Sequence, residues 1–118
     1  MSINLDNYSD EVKKKIQSLQ NLQQSLEFLS NQRMQIQSNL RETEQAIEIL
    51  EKTDEDEVVY KSIGGIMVKS DQKKLLDEKK SLKVTLEMRS KTVQQKVDRT
   101  KKQLENLRQS LQSELQNQ

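Results

Sequence analysis

Four consecutive carboxylates, Asp54-Glu55-Asp56-Glu57, and the glycine pair Gly64-Gly65 are the stretches whose residue types could do chemistry. Clustered carboxylates can hold a hard cation. A calcium loop, however, places a glycine and a distant carboxylate ligand at fixed spacing from the first ligands, and both are missing here. A glycine pair can cradle phosphate when it leads into Gly-Lys-Ser/Thr, and Gly64-Gly65 lacks that context. His and Cys are both absent. That removes the commonest transition-metal ligands, a thiol nucleophile and the usual neutral-pH general base. No metal, no cofactor and no enzymatic activity are expected, and the acidic run reads as a solvated connector.

The elements that position these stretches follow from composition and period. Of the 118 residues, 31% are hydrophobic, 3% aromatic and 33% charged, too little apolar mass for a thick globular core. A disordered chain or a long coiled coil remains, because a two-helix seam needs only about two apolar residues in seven. Lys+Arg 20 against Asp+Glu 19 are interspersed along the chain, so no basic stripe for nucleic acid is evident. The start, MSINLDNYSDEV, lacks the basic and apolar regions of a signal peptide, and nothing approaches the ~18 apolar residues of a membrane span. A soluble, cytoplasmic protein with no membrane partner is expected.

The spacing decides for the coil. The chain reads as one domain over residues 1–118, with a first helix over 9–53, a β-hairpin over 58–69 and a second helix over 70–116. Ser9 is the expected first N-cap, with Asp10 and Glu11 at the positive end of the helix dipole. Val12, Leu19, Leu26, Leu40 and Ile47 then recur in heptads, with Leu22, Leu29, Ile36 and Leu50 three residues further on. Ser70 is the expected cap of the second helix, whose seam runs from Leu75 through Leu86, Val97 and Leu107 to Leu115, interrupted by Lys79, Arg89 and Thr100. Two successive four-residue steps at Arg89-Val93-Val97 make a stutter. Folded back antiparallel, the arms match layer by layer, Leu50 with Leu75, Leu40 with Leu86, Ile16 with Leu111, and every polar seam residue meets an apolar one. An intermolecular dimer of unbroken helices is the competing geometry.

Between the arms, Val58-Val59-Tyr60-Lys61-Ser62-Ile63 and Ile66-Met67-Val68-Lys69 have strand propensity, and Gly64-Gly65 supplies the positive φ of a two-residue hairpin turn. Pairing across it sets Ile63 against Ile66 and Lys61 against Val68. A lone two-stranded ribbon is marginal in water, and this one has open edges and apolar side chains on both faces. The expected fold is therefore mainly α, an antiparallel two-helix coiled coil whose central β-hairpin joins other copies in a closed barrel. The assembly surface would be Val58, Val59, Tyr60, Ile63, Gly64, Gly65, Ile66, Met67 and Val68. At the opposite end Leu5, Tyr8, Val12, Ile16, Leu111 and Leu115 either form an exposed contact tip or simply close the coil's last turns.

YKSIGGIMVK between two equal heptad arms resembles the beta-class subunit of prefoldin. The matching positions are Tyr60-Lys61, Ile63-Gly64 and Ile66-Met67-Val68-Lys69, and the single hairpin favours the beta class over the alpha class, which carries two. The resemblance implies an ATP-independent holdase in a hetero-hexamer of two alpha-class and four beta-class subunits, joined through their hairpins into a double β-barrel. Helix tips would hold unfolded polypeptides and pass them to a group II chaperonin; archaeal and eukaryotic forms are both compatible. Transferred to this chain, the client surface would be Leu5, Tyr8, Val12, Ile16, Leu111 and Leu115. The alternative is a structural or tethering coiled-coil adaptor whose arms bind partner helices.

Overall fold

The structure, a computed structural model, describes residues 8–117. In chain order it holds α1 (Asp10–Glu51), β1 (Val59–Ile63), β2 (Ile66–Ser70) and α2 (Gln72–Gln116). The absence of proline and of any glycine outside positions 64 and 65 lets each helix run without a break.

Capping is local and follows side-chain chemistry. The Ser9 Oγ accepts from the Val12 N–H at 3.3 Å, and its carbonyl accepts from Lys13 at 3.0 Å, so α1 begins as its sequence dictates. At the other end the Thr53 hydroxyl donates to the Ile49 carbonyl at 2.7 Å. The acidic run then makes its own turn, the Glu57 N–H donating to the Asp54 carbonyl at 3.0 Å. For α2 the cap is Asp71 and not Ser70. Asp71 Oδ2 accepts from the Lys74 N–H at 3.2 Å, while Ser70 pairs with Val59 as the last residue of β2. Strand pairing holds Ser70 extended, and the carboxylate one residue later also meets the positive end of the helix.

The chain gathers into two compact units. In the unit formed by residues 33–92, Ile47 and Leu50 of α1 and Leu75 and Leu86 of α2 are buried. Thr43, also buried, is satisfied by donating to the Asn39 carbonyl at 2.7 Å. Lys83 reaches Glu44 at 3.9 Å and Lys80 reaches Glu51 at 3.8 Å, so the two helices lie side by side in opposite directions here. Arg89 is exposed and Ser90 half-buried, which moves the polar seam position by one residue. The reason is size and charge: a serine tolerates the seam, whereas a guanidinium beside it stays in water.

The second unit takes the described residues up to Gln32 together with Val93 onward. Val12 and Val97 are fully buried, and Ile16, Val93, Thr100 and Leu111 nearly so. These α2 positions keep the four-three spacing of a seam.

One buried polar contact ties the end of α1 to the start of α2. Gln72, nearly inaccessible to water, donates through Nε2 to the Leu50 carbonyl at 2.6 Å. That carbonyl is among the last four of α1, beyond the reach of the regular helical pattern, and it also accepts from the Thr53 N–H at 3.2 Å. Replacing Gln72 by alanine removes this bond and leaves the carbonyl only the Thr53 N–H at 3.2 Å, so Gln72→Ala is expected to lower stability by about 0.5–1.5 kcal/mol. Denaturant unfolding at fixed protein concentration checks this; an unchanged midpoint would show that the Thr53 N–H and water satisfy the carbonyl equally well.

Candidate assembly surface and client site

β1 and β2 pair antiparallel with Ile63 opposite Ile66, Ser62 opposite Met67, Lys61 opposite Val68, Tyr60 opposite Lys69 and Val59 opposite Ser70. The turn residues Gly64 and Gly65 have φ of 54° and 83°, both left-handed, as a type I′ turn requires. No atom crowds either Cβ position, so any larger residue there is opposed by backbone strain alone, on the order of 1–2 kcal/mol each. Their place is conformational, not a contact.

Because cross-strand partners share a face, Val59, Lys61, Ile63, Ile66, Val68 and Ser70 line one side of the ribbon, and Tyr60, Ser62, Met67 and Lys69 the other. Val59, Lys61 and Ser70 are half-buried, which marks the first face as the one turned toward the helices. Neither face is covered at the turn end. Val58, Tyr60, Ile63, Ile66, Met67 and Val68 are each 44–67% exposed, with Val58 just outside β1. Ile49 of α1 adds to this surface, lining a groove with Ala46, Leu50, Leu75 and Tyr60, and it too is largely exposed. Ile49 lies off the heptad seam, so period alone could not assign it.

Lys61 pins the ribbon to α2. Its ammonium donates to Glu78 Oε2 at 2.9 Å. That hydrogen bond, with Lys74 and Lys79 adding positive charge, holds the Glu78 carboxyl below the ordinary carboxylate range against a smaller opposing pull from desolvation. A carboxyl lowered in the folded chain contributes stability above its unfolded value and loses it as pH falls through the lowered one. The tie therefore persists at neutral pH and loosens in acid. No sequence signal announces it, since Lys61 and Glu78 are neither a helical nor a strand pair.

At the helix ends Val12, Ile16 and Leu111 form one buried cluster, against which Tyr8 and Leu19 pack. Of the two readings of this end, exposed tip or closure of the coil's last turns, the burial of these three residues fits the second, because each helix gives the other an apolar stripe to bury even in its last turns. Of the five that are described, only Leu115 is exposed, beside Leu111 in a shallow groove with Arg108, Gln112 and Gln116. Leu5 lies outside the described residues. Over the cluster, Lys15 donates to Ser110 Oγ at 2.9 Å, forms a close ion pair with Glu114, and lies 3.8 Å from Glu11. Among the described residues no group of three or more Cys, Asp or Glu side chains is placed to hold a metal, and no helix is long and apolar enough to cross a membrane.

A two-helix chain with one exposed type I′ ribbon can be compared directly with known proteins. Residues 13–118 match the family model described as prefoldin subunit. The prefoldin beta subunit of Archaeoglobus fulgidus is 37% identical over 87% of this chain and 89% of that protein. This chain belongs to the prefoldin beta-subunit family. The beta subunit of Methanothrix thermoacetophila is 35% identical over 89% of this chain and 88% of its own length. Among solved structures, the crystal structure of the prefoldin beta subunit from Thermococcus strain KS-1 aligns with a TM-score of 0.81 at 29% identity, covering 92% of this chain and 96% of that one. Two long helices and a small antiparallel hairpin are therefore the prefoldin beta fold, and the role that membership carries is that of a chaperone subunit.

Proposed function

We propose that this chain is the beta-class subunit of an ATP-independent holdase, a cytoplasmic hetero-hexamer of two alpha-class and four beta-class subunits joined through their hairpins into a double barrel. Val58 to Val68 form the assembly surface, the helix ends hold non-native polypeptides, and the load passes to a group II chaperonin. One observation carries the assembly step. The hairpin leaves Ile63, Ile66 and Val68 bare on one face and Tyr60 and Met67 bare on the other, an arrangement that strands of other subunits would cover. Family membership supports the rest. Holding then follows from valence: several weak apolar tips on one base give avidity through effective concentration, so each contact stays reversible and release needs no nucleotide.

The test is solution mass by light scattering, on the chain alone and after mixing with an alpha-class subunit, coupled to aggregation of an unfolded test protein without nucleotide. A discrete hexamer that suppresses aggregation is expected. A stable long dimer that mixing does not change, with no effect on aggregation at any ratio, would overturn the proposal in favour of a tethering coiled coil.

A further inference from the structure

The client surface and the observed burial stand in tension. Val12, Ile16 and Leu111 are 0–8% exposed, so a polypeptide cannot reach them while the two helices are seated together. Among the described residues, two polar links from α1 to α2 at this end share one side chain. Lys15 donates to Ser110 and pairs with Glu114, both on α2, and Glu11 flanks it on its own helix. Lys15 and Glu114 keep 22% and 28% of their side-chain exposure, so water still reaches the pair. Such a pair is weak and exchangeable, unlike a sealed one. It also sits within the last turns of both helices, where local opening is easiest. In the same last turns of α2, on another face of the helix, Leu111 and Leu115 line an open groove where an incoming apolar segment could first rest.

We propose that Lys15, through Glu114 and Ser110, is a latch that controls access to the Val12, Ile16 and Leu111 cluster, and that its occupant on opening is an extended apolar stretch of a non-native polypeptide. The inference rests on the holdase proposal and deepens it. In the closed state the cluster is hidden, which keeps the unloaded subunit from associating through its own apolar ends. A client segment lodged against Leu115 competes for the surface of Leu111, the helix ends part, and Val12 and Ile16 join the contact. Lys15 itself touches no client; it sets the fraction of tips that are open, and apparent affinity scales with that fraction.

The chain contains no cysteine, so a covalent latch can be installed alone. Lys15→Cys with Glu114→Cys, linked by bismaleimidoethane before assembly with an alpha-class subunit, is compared with the same variant left unlinked. Unlinked, client capture should rise about fivefold over the natural chain, the population shift that loss of one weak ion pair produces; linked, it should fall below the natural level. Equal capture by the linked and unlinked forms would overturn the latch. Lys15→Glu, which faces Glu11 and Glu114 with like charge, should raise the fluorescence of an apolar-site dye, and Lys15→Glu with Glu114→Lys should return it to the natural level. Unchanged dye binding in the single variant would likewise overturn the proposal. Should the natural hexamer hold no client at all, the holdase proposal fails on its own, and the dye measurement still decides the latch.

Discussion

Ile63→Lys together with Val68→Lys is expected to abolish assembly while leaving helix content intact. Both side chains lie on the hairpin face that carries Lys61 and Ile66, and both are largely bare in the single chain. Each aliphatic side chain buried at a subunit contact contributes about 1.5–3 kcal/mol, and a lysine there adds the cost of desolvating its charge. Two such sites recurring at each contact weaken association by roughly a thousandfold or more. The helices should not notice, since Leu50, Leu75 and Leu86 are buried while Ile63 and Val68 stand about half exposed on the ribbon. Light scattering should show the mass of free subunits beside an unchanged helical circular-dichroism spectrum. A hexamer of full mass would show that the hairpin does not drive assembly.

Serine in place of Val12, Ile16, Leu111 and Leu115 should act in the opposite way, keeping the hexamer and losing the client. Truncating one buried leucine or isoleucine typically costs about 2–5 kcal/mol, so the last turns of both helices will part. The hairpin belongs to the other compact unit and is untouched, so the mass should hold. What the parted ends then offer is hydroxyls, and capture should drop about tenfold as avidity is lost from every beta-class tip. This variant and Lys15→Glu both open the helix ends, yet capture is expected to fall in one and rise in the other. That contrast separates apolar recognition from mere looseness. Full capture by the serine variant would show that clients are held elsewhere.

Much of this molecule was legible before any coordinates. Ser9 as cap, the seam from Val12 to Leu50, and the Ile63 to Ile66 register across Gly64-Gly65 each depend on residues within one turn or one ribbon. Where reading failed, the competing choices were also local and nearly equal. Ser70 and Asp71 are both good caps, and only the pairing of Ser70 with Val59 settles between them. Arg89 and Ser90 are adjacent candidates for one seam position, and the neighbouring helix decides which turns inward.

The sequence by itself determined the alternation of elements, the turn type and the apolar stripe, because period, capping chemistry and glycine's access to positive φ act over a few residues. It left open whether the last layers of that stripe are covered, since an apolar residue at a seam position looks the same with or without a partner. Tertiary structure decided it by bringing Leu111 onto Val12 and Ile16. The same holds for the ties between Lys61 and Glu78, Gln72 and Leu50, and Lys15 and Glu114. Long flexible side chains have several partners within reach along their own helix, and only the placing of a second element against the first selects among them.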